Sequence, residues 1–393
     1  MVKRLAGSWT EVTSLNTCFS CIVATETGFV VQMGAQDKID AVIIGAGVVG
    51  AAVAHELCGR GLQCWLLDQR ERIGGETTER NSGVIHAGLY YPENSLKTKL
   101  CVTGNALLYA WASKHQVAHR RCGKIILARS PEEETLLASR LEHAQGVGVT
   151  KIRYLSRQEI QEETGIAVGR SALLSENTGI IDPVELTRSL IAHAKNLEVL
   201  VETKVQEIAA LSDGYLVETS RGPVRCSIVI NAAGLYADKI ANLLSPGKYT
   251  LYPCRGNYFR WRTKRQLQRL IYPVKVKDAP GLGIHLSLGL DGSLKWGPDA
   301  EFLKEGLDYS PADHRHPAFL EAVRRLYPEV RPEELSYESC GIRPKLRSPD
   351  DENEKDFVIA HDHEGFIDLV GIESPGLTAS LAIAKHVSTR LGL

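Results

Sequence analysis

The chain has 393 residues, of which 44% are hydrophobic and 24% charged, and its formal net charge is −1. This length allows a large core and two domains, and the near-neutral charge provides no basic excess for binding nucleic acid. The longest apolar run, AVIIGAGVVGAAVA, is shorter than the roughly 20 residues of a membrane-spanning helix, so no spanning segment is predicted.

Residues 1–37 differ in composition from the rest of the chain. They carry basic residues early and many Ser and Thr, but also acidic residues, which a transit peptide usually lacks. Two interpretations stay open: a targeting segment, and an unused start upstream of Met33. The close pair Cys18 and Cys21 has no second pair at matching spacing, so no metal site is predicted. The scattered cysteines, nine in all, indicate reduced thiols.

Residues 40–68 contain the strongest predicted element, in which a strand, the turn GAGVVG, a helix and a second strand follow one another. Gly45, Gly47 and Gly50 lie at the strand–helix turn, where the backbone can approach a pyrophosphate at the helix N-terminus. Asp68 follows Gly50 by 18 residues, at the end of the second strand, where a carboxylate can accept hydrogen bonds from ribose hydroxyls. This unit predicts a dinucleotide site.

The remaining elements predict an α/β fold with two domains. Short strands are expected near 204–234, and the strand formers of 251–344 include a hairpin with its turn at Asp291-Gly292. We predict a Rossmann-like nucleotide domain with an inserted α+β substrate domain on a mostly antiparallel sheet. The nucleotide domain comprises residues 38–95, 180–250 and 345–393, and the substrate domain comprises residues 96–179 and 251–344.

The segment RNSGVIHAGLYYP, residues 80–92, places a histidine in a Gly- and Ser-rich stretch shortly after the nucleotide unit. His86 in this segment and His285 in GIHLSL are candidate general bases. Histidine suits this role because its ordinary pKa, about 6.5, lies near neutral pH. A lone histidine is more often structural, so the residues alone leave both interpretations open.

Taken together, these segments resemble the flavin-dependent oxidoreductases of the D-amino-acid oxidase and glycerol-3-phosphate dehydrogenase superfamily. Within it, they resemble the L-2-hydroxyglutarate dehydrogenase family. The resemblance runs from about residue 38 to the end of the sequence. The blocks that carry it include RNSGVIHAGLYYPENSLK, YPCRGNYF, GLGIHLSLGLDG, CGIRPK and GIESPGLTASLAIA. It implies that the cofactor is FAD.

The resemblance also implies a position for each part of FAD. The diphosphate would lie on Gly45, Gly47 and Gly50, and the adenosine ribose on Asp68. The backbone at the start of the last helix would meet the pyrimidine edge of the flavin ring. The further cofactor contacts that the resemblance implies are Thr78, Asn81, Ser82, Gly376, Leu377 and Thr378.

The implied reaction is the oxidation of L-2-hydroxyglutarate to 2-oxoglutarate, by hydride transfer to the flavin with a histidine as base. His86 is the first candidate for that base and His285 the second. Arg343 in CGIRPK matches the superfamily's carboxylate-binding arginine, since a planar guanidinium pairs with both oxygens of a carboxylate. The other substrate contacts expected are Arg255, Tyr258 and Lys345.

Three alternatives stay open. The same fold serves oxidases and dehydrogenases of other small 2-hydroxy or amino acids. A flavin-binding protein without turnover, and a nicotinamide dehydrogenase, are the other two. The electron acceptor is open among a quinone, a carrier protein and oxygen, and a quinone would imply contact with a membrane surface. The expected compartment is the cytoplasm, or the mitochondrion if residues 1–37 are a transit peptide.

Overall fold

A computed structural model of the chain describes residues 22–25, 28–31, 38–165, 169–274 and 283–393. It divides into two compact units, Met1–Lys38 and Ile39–Leu393. The first unit contains an antiparallel strand pair, β1 (Ile22–Thr25) and β2 (Gly28–Val31). Cys18 and Cys21 and most of the N-terminal segment discussed above lie outside the described residues.

The second unit contains helices interspersed with single strands and with runs of consecutive strands. The described α-helices are α1 (Val48–Gly59), α2 (Leu96–Lys114), α3 (Pro131–Gly146), α4 (Arg157–Thr164), α5 (Pro183–Ala192), α6 (Ala237–Leu244), α7 (His316–Arg324) and α8 (Gly376–Arg390). The described strands are β3 (Ile39–Ile44), β4 (Cys64–Leu67), β5 (Val84–Ile85), β6 (His119–Arg120), β7 (Lys124–Ala128), β8 (Ile152–Leu155), β9 (Ser171–Ser175), β10 (Gly179–Ile181), β11 (Leu197–Leu200), β12 (Val205–Leu211), β13 (Gly214–Thr219), β14 (Gly222–Asn231), β15 (Tyr252–Trp261), β16 (Leu270–Pro273), β17 (His285–Leu288), β18 (Leu294–Gly297), β19 (Glu301–Phe302), β20 (Leu335–Lys345), β21 (Val358–His363) and β22 (Phe366–Val370). Within these described helices, none has both the length and the apolar character needed to cross a membrane.

The first large sheet is built around the strand–helix–strand unit seen in the sequence. Its strand order is β11-β4-β3-β14-β13-β12, with β22 beside β14 and β21 beside β22. The pairs β11–β4, β4–β3, β3–β14 and β14–β22 are parallel. The pairs β14–β13, β13–β12 and β22–β21 are antiparallel. Side chains of β3 alternate between two cores: Ala41 and Ile43 enter one, Val42 and Ile44 the other. The sheet is therefore covered on both faces, which explains the unbroken apolar run of β3.

The second large sheet has the order β19-β15-β18-β17-β16-β7-β9-β8, with β20 also paired to β15. Strands β16 and β7 pair in parallel and the remaining neighbours pair antiparallel. Both large sheets are therefore mixed, and the expectation of a mostly antiparallel substrate sheet is not confirmed. The parallel pair arises because β7 and β16 belong to distant segments, which a long connection can join in parallel.

Helix α2 shares its core with α1 and α8 beside the first sheet. Leu100 of α2 packs in the same cluster as Ile383 of α8. The two helices approach closely at Gly104, where a Cβ atom would lie 2.3 Å from the carbonyl oxygen of Thr378. The domain boundary predicted at residue 95 thus falls before a helix that packs with the first sheet, and the division of the chain into domains stays a prediction.

Candidate active site

A cavity of about 910 Å³ connects the glycine turn to the second sheet. It has the size of typical small-molecule and cofactor sites, about 300–1,000 Å³. The predicted site residues that line it are Gly45, Gly47, Asp68, Thr78, Asn81, Ser82, His86, Tyr258, His285, Arg343, Lys345, Gly376 and Leu377. The predicted residues outside its lining are Gly50, Arg255 and Thr378.

The glycine turn between β3 and α1 is fixed by close backbone contacts. Gly45 has φ +109°, and a Cβ atom there would lie 2.4 Å from the carbonyl oxygen of Ala232. A Cβ atom on Gly50 would lie 1.9 Å from the carbonyl oxygen of Gly45. These two positions therefore require glycine. Helix α1 begins directly after Gly47, which has no side chain to cap it, so the positive end of the helix dipole and the first-turn N–H groups other than that of Val48 are left for a ligand.

Asp68 ties the end of β4 to this turn. One carboxylate oxygen accepts a hydrogen bond from the amide of Ala46 at 2.8 Å, and the other accepts from the amide of Arg70 at 2.8 Å. Burial raises the pKa of Asp68 above its ordinary value, although these amide hydrogen bonds oppose the shift. Each carboxylate oxygen keeps acceptor capacity for a ligand hydroxyl, because ionised oxygens accept more than one hydrogen bond.

The loop after β4 is held by side chains that were predicted to contact the cofactor. The Thr78 hydroxyl accepts from the amide of Val48 at 3.0 Å and so links this loop to the first turn of α1. The side-chain amide of Asn81 donates to the carbonyl of Thr78 at 2.7 Å and accepts from the amide of Gly83 at 2.7 Å. These contacts keep Ser82 and the following strand β5 beside the cavity.

His86 follows β5 and is anchored by its backbone to the last helix. Its amide donates to the hydroxyl of Thr378 at 2.9 Å, and its Nε2 lies 3.3 Å from the hydroxyl oxygen of Ser374. Its Nδ1 is buried and has no hydrogen-bond partner among the described residues. Burial, together with the nearby charge of Lys124, lowers the pKa of His86 to about 3. The ring is therefore neutral at neutral pH.

His285 begins β17 in the second sheet. Its Nδ1 lies 2.7 Å from the carbonyl oxygen of Gly283, and its ring stacks on Tyr272 with centroids 3.7 Å apart. Because a carbonyl oxygen only accepts, Nδ1 carries the proton and Nε2 is the acceptor nitrogen of the neutral ring. Burial lowers the pKa of His285 to about 3 as well. Two neutral histidines therefore line the same cavity.

Strands β15 and β20 determine which basic residues reach the cavity. Paired residues of an antiparallel ladder share a face, and successive residues alternate. Arg343 pairs with Cys254, and Lys345 pairs two residues along with Tyr252, so both basic side chains share one face. Gly256 lies on that face and gives the guanidinium room, since a Cβ atom there would be 2.3 Å from Arg343 Nη2. Tyr258, Arg343 and Lys345 all line the cavity.

Arg255 lies on the opposite face, because it pairs with Ile342 rather than with Arg343. It is 3% exposed and its guanidinium is already engaged. It forms an ion pair with Asp308 at 3.0 Å, donates to the side-chain oxygen of Asn257 at 2.9 Å and donates to the carbonyl of Ser310. The structure therefore does not bring Arg255 into the cavity, and its expected contact with the substrate stays a prediction.

The start of α8 closes the other side of the cavity. Gly376 and Leu377 line it, and the helix begins after Pro375 without a side-chain cap. The hydroxyl of Thr378 accepts from His86 and donates to the carbonyl of Val84 at 3.3 Å. Thr378 therefore fastens the histidine segment to the helix, and the amide of Gly376 donates to the carbonyl of Glu373 at 2.6 Å.

Lys124 is a buried charged residue that sequence reasoning missed. It is 0% exposed, and its ammonium has no hydrogen-bond partner among the described residues. The ammonium lies 4.5 Å from the ring centroid of Tyr90 and 4.7 Å from that of Tyr272. Burial lowers its pKa to about 7. A lysine at the start of the strand KIILA suggests a solvated strand end, so the sequence carried no signal for this position.

The residues of the cavity fit FAD. The glycine turn and the start of α1 suit a diphosphate, Asp68 suits a ribose, and the start of α8 suits the edge of the flavin ring. The far end of the cavity contains an arginine and two neutral histidines, which suit an acidic substrate and proton transfer. The fold and the site together define an FAD-dependent oxidoreductase.

The chain belongs to the DAO family of FAD-dependent oxidoreductases, whose family model matches residues 40–390. The mitochondrial L-2-hydroxyglutarate dehydrogenase of Arabidopsis thaliana is 33% identical over 91% of this chain and 84% of the relative. The glycerol 3-phosphate dehydrogenase of Caloramator mitchellensis is 31% identical over 88% of this chain and 72% of the relative.

Solved structures agree with this assignment. The FAD-bound L-alpha-glycerophosphate oxidase of Mycoplasma pneumoniae superposes with a TM-score of 0.81 and 25% identity, over 91% of this chain and 96% of that chain. The glycine oxidase of Geobacillus kaustophilus shares the fold, with a TM-score of 0.76 and 20% identity over 90% of this chain and 95% of that chain. The predicted cofactor, enzyme class and family are confirmed.

Proposed function

We propose that this protein oxidises L-2-hydroxyglutarate to 2-oxoglutarate. The observation that carries the proposal is the cavity that joins the glycine turn to Arg343 and the two histidines. The 33% identical L-2-hydroxyglutarate dehydrogenase of Arabidopsis thaliana supports the same substrate. An acidic 2-hydroxy acid requires a cation for its carboxylate and a base for its hydroxyl proton, and the cavity contains both kinds of group.

The cofactor is held by backbone groups and one carboxylate. The first turn of α1 beyond Gly47 would hold the diphosphate, Asp68 would accept from the ribose hydroxyls, and the backbone at Leu377 would meet the ring edge. Bound FAD supplies the acceptor for the hydride that leaves C2 of the substrate. We also propose two domains. A Rossmann-like cofactor domain is built on the first sheet and includes α2, and a substrate domain is built on the second sheet.

His86 acts as the base in this proposal. As the hydride leaves C2, the substrate hydroxyl gives its proton to the imidazole. The electron pair of the O–H bond then forms the carbonyl. The ring is unprotonated before reaction, but a pKa of about 3 makes it a weak base until a nearby negative charge raises that pKa. The negative charge of a bound substrate carboxylate would stabilise the resulting imidazolium. His285, with its acceptor Nε2, is the second candidate.

Arg343 binds the carboxylate next to the reacting carbon. Its guanidinium lines the cavity, while one of its N–H groups donates to the carbonyl of Asp299 and so fixes its orientation. Tyr258 lies on the same strand face and supplies a hydroxyl donor. Arg255 has no part in binding, because its donors are used by Asp308 and its neighbours on the other face.

The test is anaerobic reduction of the bound flavin in the purified holoenzyme. The protein is mixed with L- and D-2-hydroxyglutarate, L-lactate, glycine, D-alanine and glycerol 3-phosphate, and the flavin absorbance is followed. Rapid bleaching by L-2-hydroxyglutarate alone is the expected result. If glycerol 3-phosphate or another acid bleaches the flavin and L-2-hydroxyglutarate does not, that compound is the substrate and the proposal is wrong.

The mitochondrial location in the name of the Arabidopsis relative supports a targeting role for residues 1–37. A fusion of these residues to a fluorescent protein tests this, and a diffuse cytoplasmic signal would contradict it. The acceptor is tested by reoxidation of the reduced enzyme with a soluble quinone, with an electron-transfer protein and with oxygen.

A further inference from the structure

Two buried lysines share one carboxylate at the wall of the cavity, and we call Lys97, Lys345 and Glu373 the two-lysine cluster. Lys97 Nζ lies 3.2 Å and Lys345 Nζ lies 3.1 Å from the same atom, Glu373 Oε1. Each lysine is only 5% exposed. All three side chains belong to residues that line the cavity.

The cluster is assembled from three separate elements. Lys97 lies in the first turn of α2, Lys345 ends β20, and Glu373 precedes Ser374 in the segment leading to α8. The carboxylate of Asp356 fixes the start of α2, since it accepts from the amide of Lys97 at 3.0 Å. The cluster therefore has a defined position, next in sequence to the serine that contacts His86.

Positive charge exceeds negative charge around this cluster. Burial works to raise the pKa of Glu373, but the charges of Lys97, Lys345 and Arg343 outweigh it and the pKa is lowered, so Glu373 is ionised. Lys345 has a second partner in Glu354 at 2.9 Å. With Arg347, which lies 3.7 Å from the exposed Glu354, and with Asp356 at the start of α2, four cations lie among three carboxylates.

Lys97 is the less compensated of the two lysines. Its only carboxylate partner among the described residues is the shared oxygen of Glu373. Its other neighbours are aromatic faces, with the ring centroids of Tyr91 at 5.9 Å and Phe357 at 5.5 Å. An ammonium group has several N–H donors, and a buried cation with so little compensation is costly unless an anion joins it.

We propose that Lys97 and Lys345 bind the distal carboxylate of the substrate and thereby select dicarboxylic 2-hydroxy acids. This inference rests on the proposed function, and it gives the two ends of the substrate different partners. Arg343 holds the carboxylate beside the reacting carbon, and the two-lysine cluster holds the carboxylate at the far end of the chain. Specificity then follows from a buried charge that a monocarboxylic acid leaves unpaired.

The test compares two substrates that differ only in the distal group. L-2-Hydroxyvalerate has the carbon chain of L-2-hydroxyglutarate with a methyl group in place of the distal carboxylate. Lys97→Met should lower the ratio of kcat/KM for L-2-hydroxyglutarate to that for L-2-hydroxyvalerate by about 10- to 100-fold. The control is Lys99→Met, an exposed position on the same helix, which should leave the ratio unchanged. Equal losses on both substrates, or an unchanged ratio in Lys97→Met, would overturn the proposal.

For a second variant, the proposal predicts tighter rather than weaker binding of a dicarboxylate. Glu373→Gln removes the carboxylate that competes for both lysines, so glutarate should bind the holoenzyme more tightly than it binds wild type. Binding is followed by the change in flavin absorbance, with valerate as the monocarboxylic comparison. Weaker glutarate binding in Glu373→Gln together with an unchanged ratio in Lys97→Met would assign the cluster to fold stability alone.

The glutarate titration also separates this proposal from the proposed function. If wild type fails to oxidise L-2-hydroxyglutarate, the proposed function fails, and loss of glutarate binding in Lys97→Met would still support the distal carboxylate site. In that case unchanged glutarate binding would overturn the site too. If wild type oxidises L-2-hydroxyglutarate and Lys97→Met keeps its discrimination, only the site proposal fails.

Discussion

The two ends of the cavity are built in different ways. At the cofactor end, the glycine turn and Asp68 come from a continuous stretch of fewer than 30 residues, and backbone contacts fix their geometry. At the substrate end, His86, His285 and Arg343 come from three separate segments that meet only in the folded chain. A local motif specifies the first end, whereas long-range strand pairing and helix packing specify the second.

The largest expected effect is at the cofactor end. Gly45→Val places a side chain on a residue with φ +109°, where even a Cβ atom would lie 2.4 Å from a carbonyl oxygen. We expect the purified protein to contain essentially no flavin, measured by absorbance after denaturation. Gly59→Ala is the matched control, since a Cβ atom there meets nothing within 4 Å. Full flavin content in Gly45→Val would show that the turn does not control cofactor binding.

At the substrate end, His86→Ala should separate chemistry from cofactor binding. Loss of a general base lowers kcat by about 10²- to 10⁴-fold, while the backbone contact of residue 86 with Thr378 remains available. We expect normal flavin content and a slow rate of flavin reduction under single-turnover conditions. His285→Ala is the comparison, with a smaller expected loss. A larger loss in His285→Ala would transfer the role of base to that residue.

The two arginines of the β15–β20 pair offer a finer comparison. Arg343→Ala should lower kcat/KM by about 100-fold, because it removes the cation that faces the cavity. Arg255→Ala should leave the kinetics of the flavin-loaded enzyme unchanged and lower the unfolding free energy by about 1–3 kcal/mol, since its partners on the other face lose their donor. Steady-state kinetics and thermal unfolding check both variants. A loss of kcat/KM in flavin-loaded Arg255→Ala would show that Arg255 contributes to catalysis or substrate binding although it lies on the other face of the strand pair.

The smallest effect concerns the stability cost of Lys124. Its folded pKa of about 7 lies below the ordinary 10.5, so between these values the unfolded chain binds more protons and stability rises with pH. The buried ammonium therefore lowers the free energy of unfolding by its full amount below about pH 7, and it has no such effect above about pH 10.5. Lys124→Met should therefore raise the unfolding free energy at neutral pH by about 1–3 kcal/mol and flatten this pH dependence. Chemical denaturation at several pH values, with exposed Lys99→Met as control, measures it. An unchanged pH profile would contradict the prediction.

The same contrast explains how much of the molecule could be predicted from sequence. The glycine turn and Asp68 were predictable because strand and helix periodicity fix their spacing. The face on which Arg255 lies could not be predicted, because strand register determines the face of each side chain and is known only once β15 and β20 are paired. Lys97 was missed because a helix-start lysine suggests a solvated side chain, and only packing against the segment before α8 shows that it is buried.

The hydroxyl of Thr378 has a consequence for synthesis of the chain. It joins α8 to the carbonyl of Val84 across 294 positions of sequence, and α8 also completes the core that α1 and α2 share. A ribosome that adds about 5–20 residues per second needs roughly 15–60 s to cover this interval. During that time α1 and α2 have an incomplete core, and the histidine segment lacks its contacts with Thr378. The nascent chain therefore exposes apolar surface until α8 leaves the ribosome, and chaperone binding is expected to end at that point.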